Sequence, residues 1–251
     1  MNKFLGRTSV VYYGTGRILI YLLAAAFAGD FKTIVTRTLG IKSFYQKAVS
    51  AGVTHYLAYY LDKELEGCNS VLDLGCGKSS WLQVVSPRDS VGVEVFEPYL
   101  RESRRKGLHT QYILGDIRNI QFKKGSFDAV IASDVIEHLT KEEGARLIDS
   151  MERWARNKVI VSTPNGRVYQ DDAVDNNPFF RHLSAWSIAE FQARGFRVYG
   201  ARGWRSLRDP EGERIKFKPE FVWQGVSALT ALVLHRFPRS SVALFCVKTL
   251  R

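Results

Sequence analysis

The chain has 251 residues and a hydrophobic fraction of 45%, enough for one large domain with a packed core, or one domain with a substantial extension. Lys and Arg outnumber Asp and Glu by 36 to 25, a net charge of +11, which favours an anionic partner: a phosphate-bearing substrate, an acidic membrane surface or nucleic acid. Three cysteines (Cys68, Cys76 and Cys246) without a CxxC pair or paired Cys/His spacing argue against a disulfide framework and give no metal site, with a reducing cytosol as the simplest home.

The first fifty residues carry seven basic side chains (Lys3, Arg7, Arg17, Lys32, Arg37, Lys42, Lys47) against the single acid Asp30. Within them the apolar run Ile18–Ala28 follows Arg17 and ends in small residues, like the core of a signal peptide. It is shorter than the roughly 20 apolar residues of a membrane-spanning helix. We read it as a retained helix, buried or lying on a membrane. From Phe44 to Leu65 apolar residues recur in steps of three and four (Tyr45, Val49, Val53, Tyr56, Leu57, Tyr60, Leu61), which predicts one face of a helix. Residues 1–65 therefore form a helical N-terminal extension, and residues 66–251 a second domain.

After residue 65 short β-rich runs alternate with helical ones. The predicted strands are Ser70–Leu74, Ser90–Val95, Gln111–Ile113, Phe127–Ala132, Lys158–Ser162, Phe196–Tyr199 and Val242–Val247. Helical patterns fall at Lys141–Arg156 and Ser184–Arg194, the second with Ser184 as its N-cap. Strand and helix in alternation predict an α/β fold with a parallel sheet covered on both faces. The connection from Gly200 to Ser240 breaks the rhythm. It holds a charged stretch from Arg205 to Glu220 and an apolar helical run from Phe221 to Phe237, so an insertion is expected over about residues 203–238.

The first strand runs into Asp73-Leu74-Gly75-Cys76-Gly77. Glycines between a strand and a helix let the backbone turn sharply and approach a ligand where a Cβ would collide. The next strand ends on Glu94, whose carboxylate can accept hydrogen bonds from ribose hydroxyls. Strand, glycine turn and acid at this separation make a nucleoside-binding arrangement. A dinucleotide dehydrogenase is the rival, but its third glycine is Ser80 here. Asp73, just before the turn, would repel a pyrophosphate and can face a cationic ligand.

Four blocks in order carry a family resemblance: Val71 to Gly77; Val91-Gly92-Val93-Glu94-Val95 followed by Pro98; Gly115-Asp116-Ile117; and Ser126 to Leu139, which includes Ser133-Asp134-Val135-Ile136-Glu137-His138. Residues 68–200 resemble the class I methyltransferases that use S-adenosylmethionine (SAM), especially the small-molecule branch with the ubiquinone and menaquinone biosynthesis enzymes. The resemblance implies a Rossmann-like, doubly wound, seven-stranded sheet with an antiparallel last strand. It implies SAM as cofactor and S-adenosylhomocysteine (SAH) as product. Asp73, Gly75, Cys76 and Gly77 would hold the methionine end, Glu94 the ribose with Val95 against the adenine, Asp116 the adenine amino group with Ile117 near the ring, and Ser133 the space beneath the sulfonium.

Methyl transfer to a hydroxyl needs an in-line approach and loss of the hydroxyl proton. His138 and His182 are the candidate bases. Arg181 and Trp186, in the segment from Asn177 to Trp186, are candidate substrate contacts at the carboxyl end of the sheet. No Asn/Asp-Pro-Pro-Tyr/Phe run follows the fourth strand, which argues against methylation of base or glutamine amines, and no Pro-Cys pair stands there. The expected acceptor is a small molecule, hydroxyl-bearing and lipid-linked or anionic, under a lid formed by the N-terminal extension and the insertion. The enzyme would then be cytoplasmic, with peripheral contact to an anionic membrane. A soluble glycan or natural-product hydroxyl, and a SAM-binding protein without turnover, are the alternatives. Nucleic acid is disfavoured because no RNA-binding module interleaves the basic residues. Oligomeric state is left open.

Overall fold

The computed structural model describes residues 60–84, 89–166, 176–209 and 214–250. The apolar run Ile18–Ala28 and the rest of the expected extension up to residue 59 lie outside the described residues; of the predicted Phe44–Leu65 helix, residues 60–64 are helical.

Seven strands form one sheet: β1 Ser70–Leu74, β2 Asp89–Glu94, β3 Gln111–Leu114, β4 Phe127–Ser133, β5 Ala155–Pro164, β6 Arg197–Trp204 and β7 Ser241–Thr249. Their order is β3-β2-β1-β4-β5-β7-β6. The pairs from β3 through β5 are parallel, and β7 runs antiparallel to both β5 and β6. This is the expected doubly wound α/β sheet with its last strand reversed. All seven predicted strands are present, and β5 and β6 are longer than their apolar cores suggested.

The sheet is apolar on both faces because successive side chains alternate. On one face Leu72, Leu74, Val130, Ala132, Val159, Val161, Leu244 and Cys246 meet Leu147, Ile148, Met151 and Trp154 of helix α2 (Lys141–Trp154). On the other, Val71, Ala129, Ile131, Ile160, Ala243, Phe245 and Val247 meet Leu61 and Leu65. Helix α1 (Glu97–Lys106) starts with Glu97 and Pro98, ends with three basic residues, and stops at Gly107 in the left-handed region, each feature suited to its helix end. Helix α2 opens on a capping box in which the Thr140 hydroxyl accepts from the Glu143 N–H and the Glu143 carboxylate accepts from the Thr140 N–H.

Three expectations are corrected. Helix α3 spans Ile188–Ala193 and its capping box uses Ser187 with Glu190, not Ser184. Ser184 instead donates to the Ile136 carbonyl at 3.1 Å and accepts the Trp186 indole N–H at 3.1 Å. The turn behind Gly77 leads into a short 3-10 turn, Trp81–Val84, where a full helix was expected. The apolar run of the insertion is helix α4, Glu220–Leu234, and none of its described residues lines the cleft described below. It lies against β6. A Cβ at Gly200 would stand 2.1 Å from the Leu234 carbonyl oxygen, and one at Gly203 2.2 Å from that of Ser227. Those two glycines are what let the helix close on the strand, so α4 covers β6.

Candidate active site

A cleft of about 760 Å³ opens at the carboxyl ends of β1, β2 and β4, where open α/β sheets bind ligands. Asp73, Gly75, Cys76, Gly77, Glu94, Val95, Asp116, Ile117, Ser133, His138 and Arg181 all line it. His182 and Trp186 do not.

The turn after β1 depends on Gly75, whose φ is +66° and whose Cβ would lie 2.6 Å from a Val135 methyl. The Cys76 N–H donates to the Val93 carbonyl at 3.0 Å, which ties the turn to β2. The Cys76 thiol is buried, and burial raises it well above its ordinary value; its contribution is backbone. The Gly77 N–H donates to Glu94 Oε2 at 2.9 Å, and the Phe96 N–H to Glu94 Oε1 at 2.8 Å. Each carboxylate oxygen keeps a lone pair for a further donor, so Glu94 fastens the glycine turn while facing the cleft. Burial pushes its carboxyl up against these two hydrogen bonds.

Asp73 is 3% exposed. The Ser80 hydroxyl donates to its Oδ2 at 2.5 Å and accepts from the Leu82 N–H at 3.1 Å. The serine that replaces the dehydrogenase glycine thus serves to orient the acid. Burial pushes the Asp73 carboxyl up to about 7, with the Ser80 bond opposing and the Glu94 charge assisting. A cationic group docked there would pull it back to the ionised form. Behind it lies His109, whose Nε2 is 3.5 Å from Asp73 Oδ2; desolvation pushes its imidazole down to about 4, so it stands there neutral.

Asp116 holds the far side. Arg118, which sequence reasoning missed, grips it through Nε at 2.9 Å to both carboxylate oxygens and through Nη2 at 2.5 Å. That pairing keeps Asp116 below its ordinary value, ionised and ready to accept from an amine.

At the other end, Asp134 follows β4 with φ +54° and pairs with Arg202, itself at φ +63°. Arg202 sits where the β6–β7 register shifts between Ala201 and Trp204. Two non-glycine residues in the left-handed region are strained, as residues at functional sites often are. No sequence spacing could pair positions so far apart; the bulge does it. Phe179, Arg181 and Leu183 form an exposed edge of the cleft. Their segment is pinned by the Leu183 and Ser184 N–H groups, both donating to the Glu137 carbonyl, at 2.7 and 3.0 Å. This sets the His182 ring edge-on to His138 at 4.8 Å. Burial and His182 both push the His138 imidazole down. Trp186 is 2% exposed: its indole packs on Phe191 under the Lys141 ammonium and against Gly144, where a Cβ would lie 2.6 Å from the ring. It supports the segment from the core and has no surface in the cleft.

Residues 71–158 match a family model described as a methyltransferase domain. A crystal structure of a SAM-dependent methyltransferase from Archaeoglobus fulgidus superposes with a TM-score of 0.54 at 17% identity, covering 79% of this chain and 93% of that one. Residues 71–158 thus carry a methyltransferase domain, on a sheet whose fold the Archaeoglobus fulgidus enzyme shares. Asp73, Glu94 and Asp116, the three acids expected at the cofactor, all line this cleft. Among curated proteins the chain is similar to the probable tRNA methyltransferase 9B of Mus musculus (34% identical) and of Homo sapiens (33%), each over 84 residues. Those stretches are 33% of this chain and 18% of each relative, so the chain matches less than a fifth of their length.

Proposed function

We propose that the protein transfers a methyl group from SAM to a hydroxyl of a small, partly apolar and anionic acceptor. The observation that carries this reading is the make-up of the acceptor end of the cleft. Phe179 and Leu183 are 41% and 50% exposed there, beside Arg181 and Arg202. Apolar surface next to guanidinium groups suits an acceptor with a hydrophobic body and a carboxylate or phosphate. Ser133 would lie beneath the sulfonium, and His138 is the nearer of the two candidate histidines to take the hydroxyl proton. A lipid-linked acceptor would account for the basic N-terminal fifty residues; a soluble glycan or natural product fits the same edge. No described helix is long and apolar enough to cross a membrane; the lipid version invokes peripheral contact.

A second reading, methylation of RNA, draws on the similarity to the probable tRNA methyltransferases and on the net charge of +11. Transfer from methyl-labelled SAM separates the two. The label is expected in an organic extract of lipids and small acids incubated with the protein. Label appearing only in bulk tRNA would replace the first reading with the second. Sedimentation with anionic vesicles at low salt tests the lipid version: a protein that stays in the supernatant has no membrane-bound acceptor.

A further inference from the structure

Glu137 lies just beyond β4, on the 3-10 turn Ile136–His138, and is 2% exposed. The Thr163 hydroxyl donates to its Oε2 at 3.0 Å, but its Oε1 is buried with no hydrogen-bond partner. An unmatched buried carboxylate oxygen is costly unless something outside the chain satisfies it.

Two imidazoles stand beside it. The ligating atoms of Glu137, His138 and His182 all lie within 4.8 Å of one another. The His138 Nδ1 is 3.2 Å from the Arg181 carbonyl oxygen. A ring N–H donated to a backbone carbonyl is the outer contact that fixes the tautomer of a metal-bound histidine. Asp134 adds negative charge alongside, and its Oδ1 is also buried without a hydrogen-bond partner.

We propose that Glu137, His138 and His182 form a binding site for a divalent transition-metal cation of the Zn²⁺ or Mn²⁺ type, which borders the cleft through His138, the one of the three that lines it. Two imidazoles and one carboxylate are a donor set for such ions, and three protein ligands leave positions for water or an acceptor oxygen. Bonds of about 2.0–2.1 Å in a tetrahedral array put ligand atoms roughly 3.3 Å apart, so the three side chains would draw together on binding. The chain order hides the site: His182 reaches the other two only because its segment is pinned to the Glu137 carbonyl.

The site deepens the methyltransferase reading and rests on it for its role, though not for its existence. An acceptor hydroxyl bound to the cation is acidified and loses its proton to solvent. The oxygen then forms a bond to the methyl carbon while the carbon–sulfur bond breaks, its electron pair returning to sulfur as SAH leaves. His138 would then be a ligand and not a proton acceptor.

The full chain, stripped with a chelator and dialysed, is titrated with Co²⁺ followed by visible absorption. SAH binding is measured on the same samples by calorimetry. We expect one saturable Co²⁺ site per chain, displaced by Zn²⁺. Binding should weaken at least about tenfold in Glu137→Gln and in His182→Ala, while both variants keep the parent's SAH affinity. Absence of saturable Co²⁺ binding in a parent that binds SAH overturns the site, as does undiminished binding in both variants. Co²⁺ bound by a parent that does not bind SAH would uphold the site and overturn the cofactor reading instead. His182 is only half-buried, so its variant remains informative if the Glu137 substitution fails to fold.

Discussion

The two ends of the cleft are built on different principles. The cofactor end is local: Asp73, Gly75, Gly77 and Glu94 come from two adjacent parallel strands and the turn between them, and the turn's own N–H groups hold Glu94. The acceptor end is assembled from distant pieces. Asp134 follows β4, Arg202 lies on a bulge of the edge strand β6, and the segment bearing His182 is pinned to Glu137. A local site survives changes elsewhere in the chain; an assembled one can be re-aimed by altering any of its supports. Under the proposed function, the difference places acceptor specificity in the assembled end.

The sharpest way to break the comparison is Asp73→Asn. Loss of the buried charge facing the cofactor's ammonium group is expected to weaken SAM and SAH binding about a hundredfold, near 2.7 kcal/mol, as read by calorimetry. The variant should be no less stable than the parent, since burial disfavours the charge in the free protein. An unchanged affinity would remove Asp73 from the cofactor site.

The same residue sets a pH dependence. Below about pH 7 Asp73 is protonated in the free protein, and the proton competes with the cofactor's ammonium. SAM affinity is expected to fall roughly tenfold per pH unit below that point and to level off above it. Stability moves the other way. The folded state binds this proton more tightly than the unfolded chain, whose value is the ordinary 3.8, so raising the pH from 3.8 to about 7 removes stability. Chemical denaturation of Asp73→Asn across that window should show a shallower slope than the parent.

Arg202→Ala sharpens the comparison from the acceptor side. It removes the partner of Asp134 and one of the guanidinium groups of the cleft. We expect about a tenfold rise in KM for an anionic acceptor, with SAH affinity within a factor of about two of the parent. A matching loss of SAH affinity would mean that the two ends are not separable.

The smallest effect on binding, though a clear one on stability, is expected from Gly144→Ala. Its Cβ would meet the Trp186 ring at 2.6 Å, and overpacking of this kind costs about 1–3 kcal/mol. A lower melting temperature with unchanged SAH affinity would place Trp186 in the supporting core; weakened SAH binding at an unchanged melting temperature would contradict that placement.

The amino-acid sequence by itself determined the strands, their alternation with helices and the acids Asp73, Glu94 and Asp116 that line the cleft. Apolar runs buried on both faces give a strong local signal, and the turn that needs Gly75 and the acids around it lie within a few residues of strand ends. It also marked the replacement of the third glycine by Ser80, although only the fold gave that serine its task of orienting Asp73. The grip of Arg118 on Asp116, two residues away, was within reach of sequence but carries no periodic or motif signal. Tertiary structure alone decided that Trp186 is core, that α4 covers β6 through contacts permitted by Gly200 and Gly203, that Arg202 meets Asp134, and that His182 joins Glu137 and His138. Each of these depends on a close approach between segments far apart in the chain. Such approaches are fixed by packing and by backbone hydrogen bonds such as those to the Glu137 carbonyl, and neither leaves a spacing that can be read along the sequence.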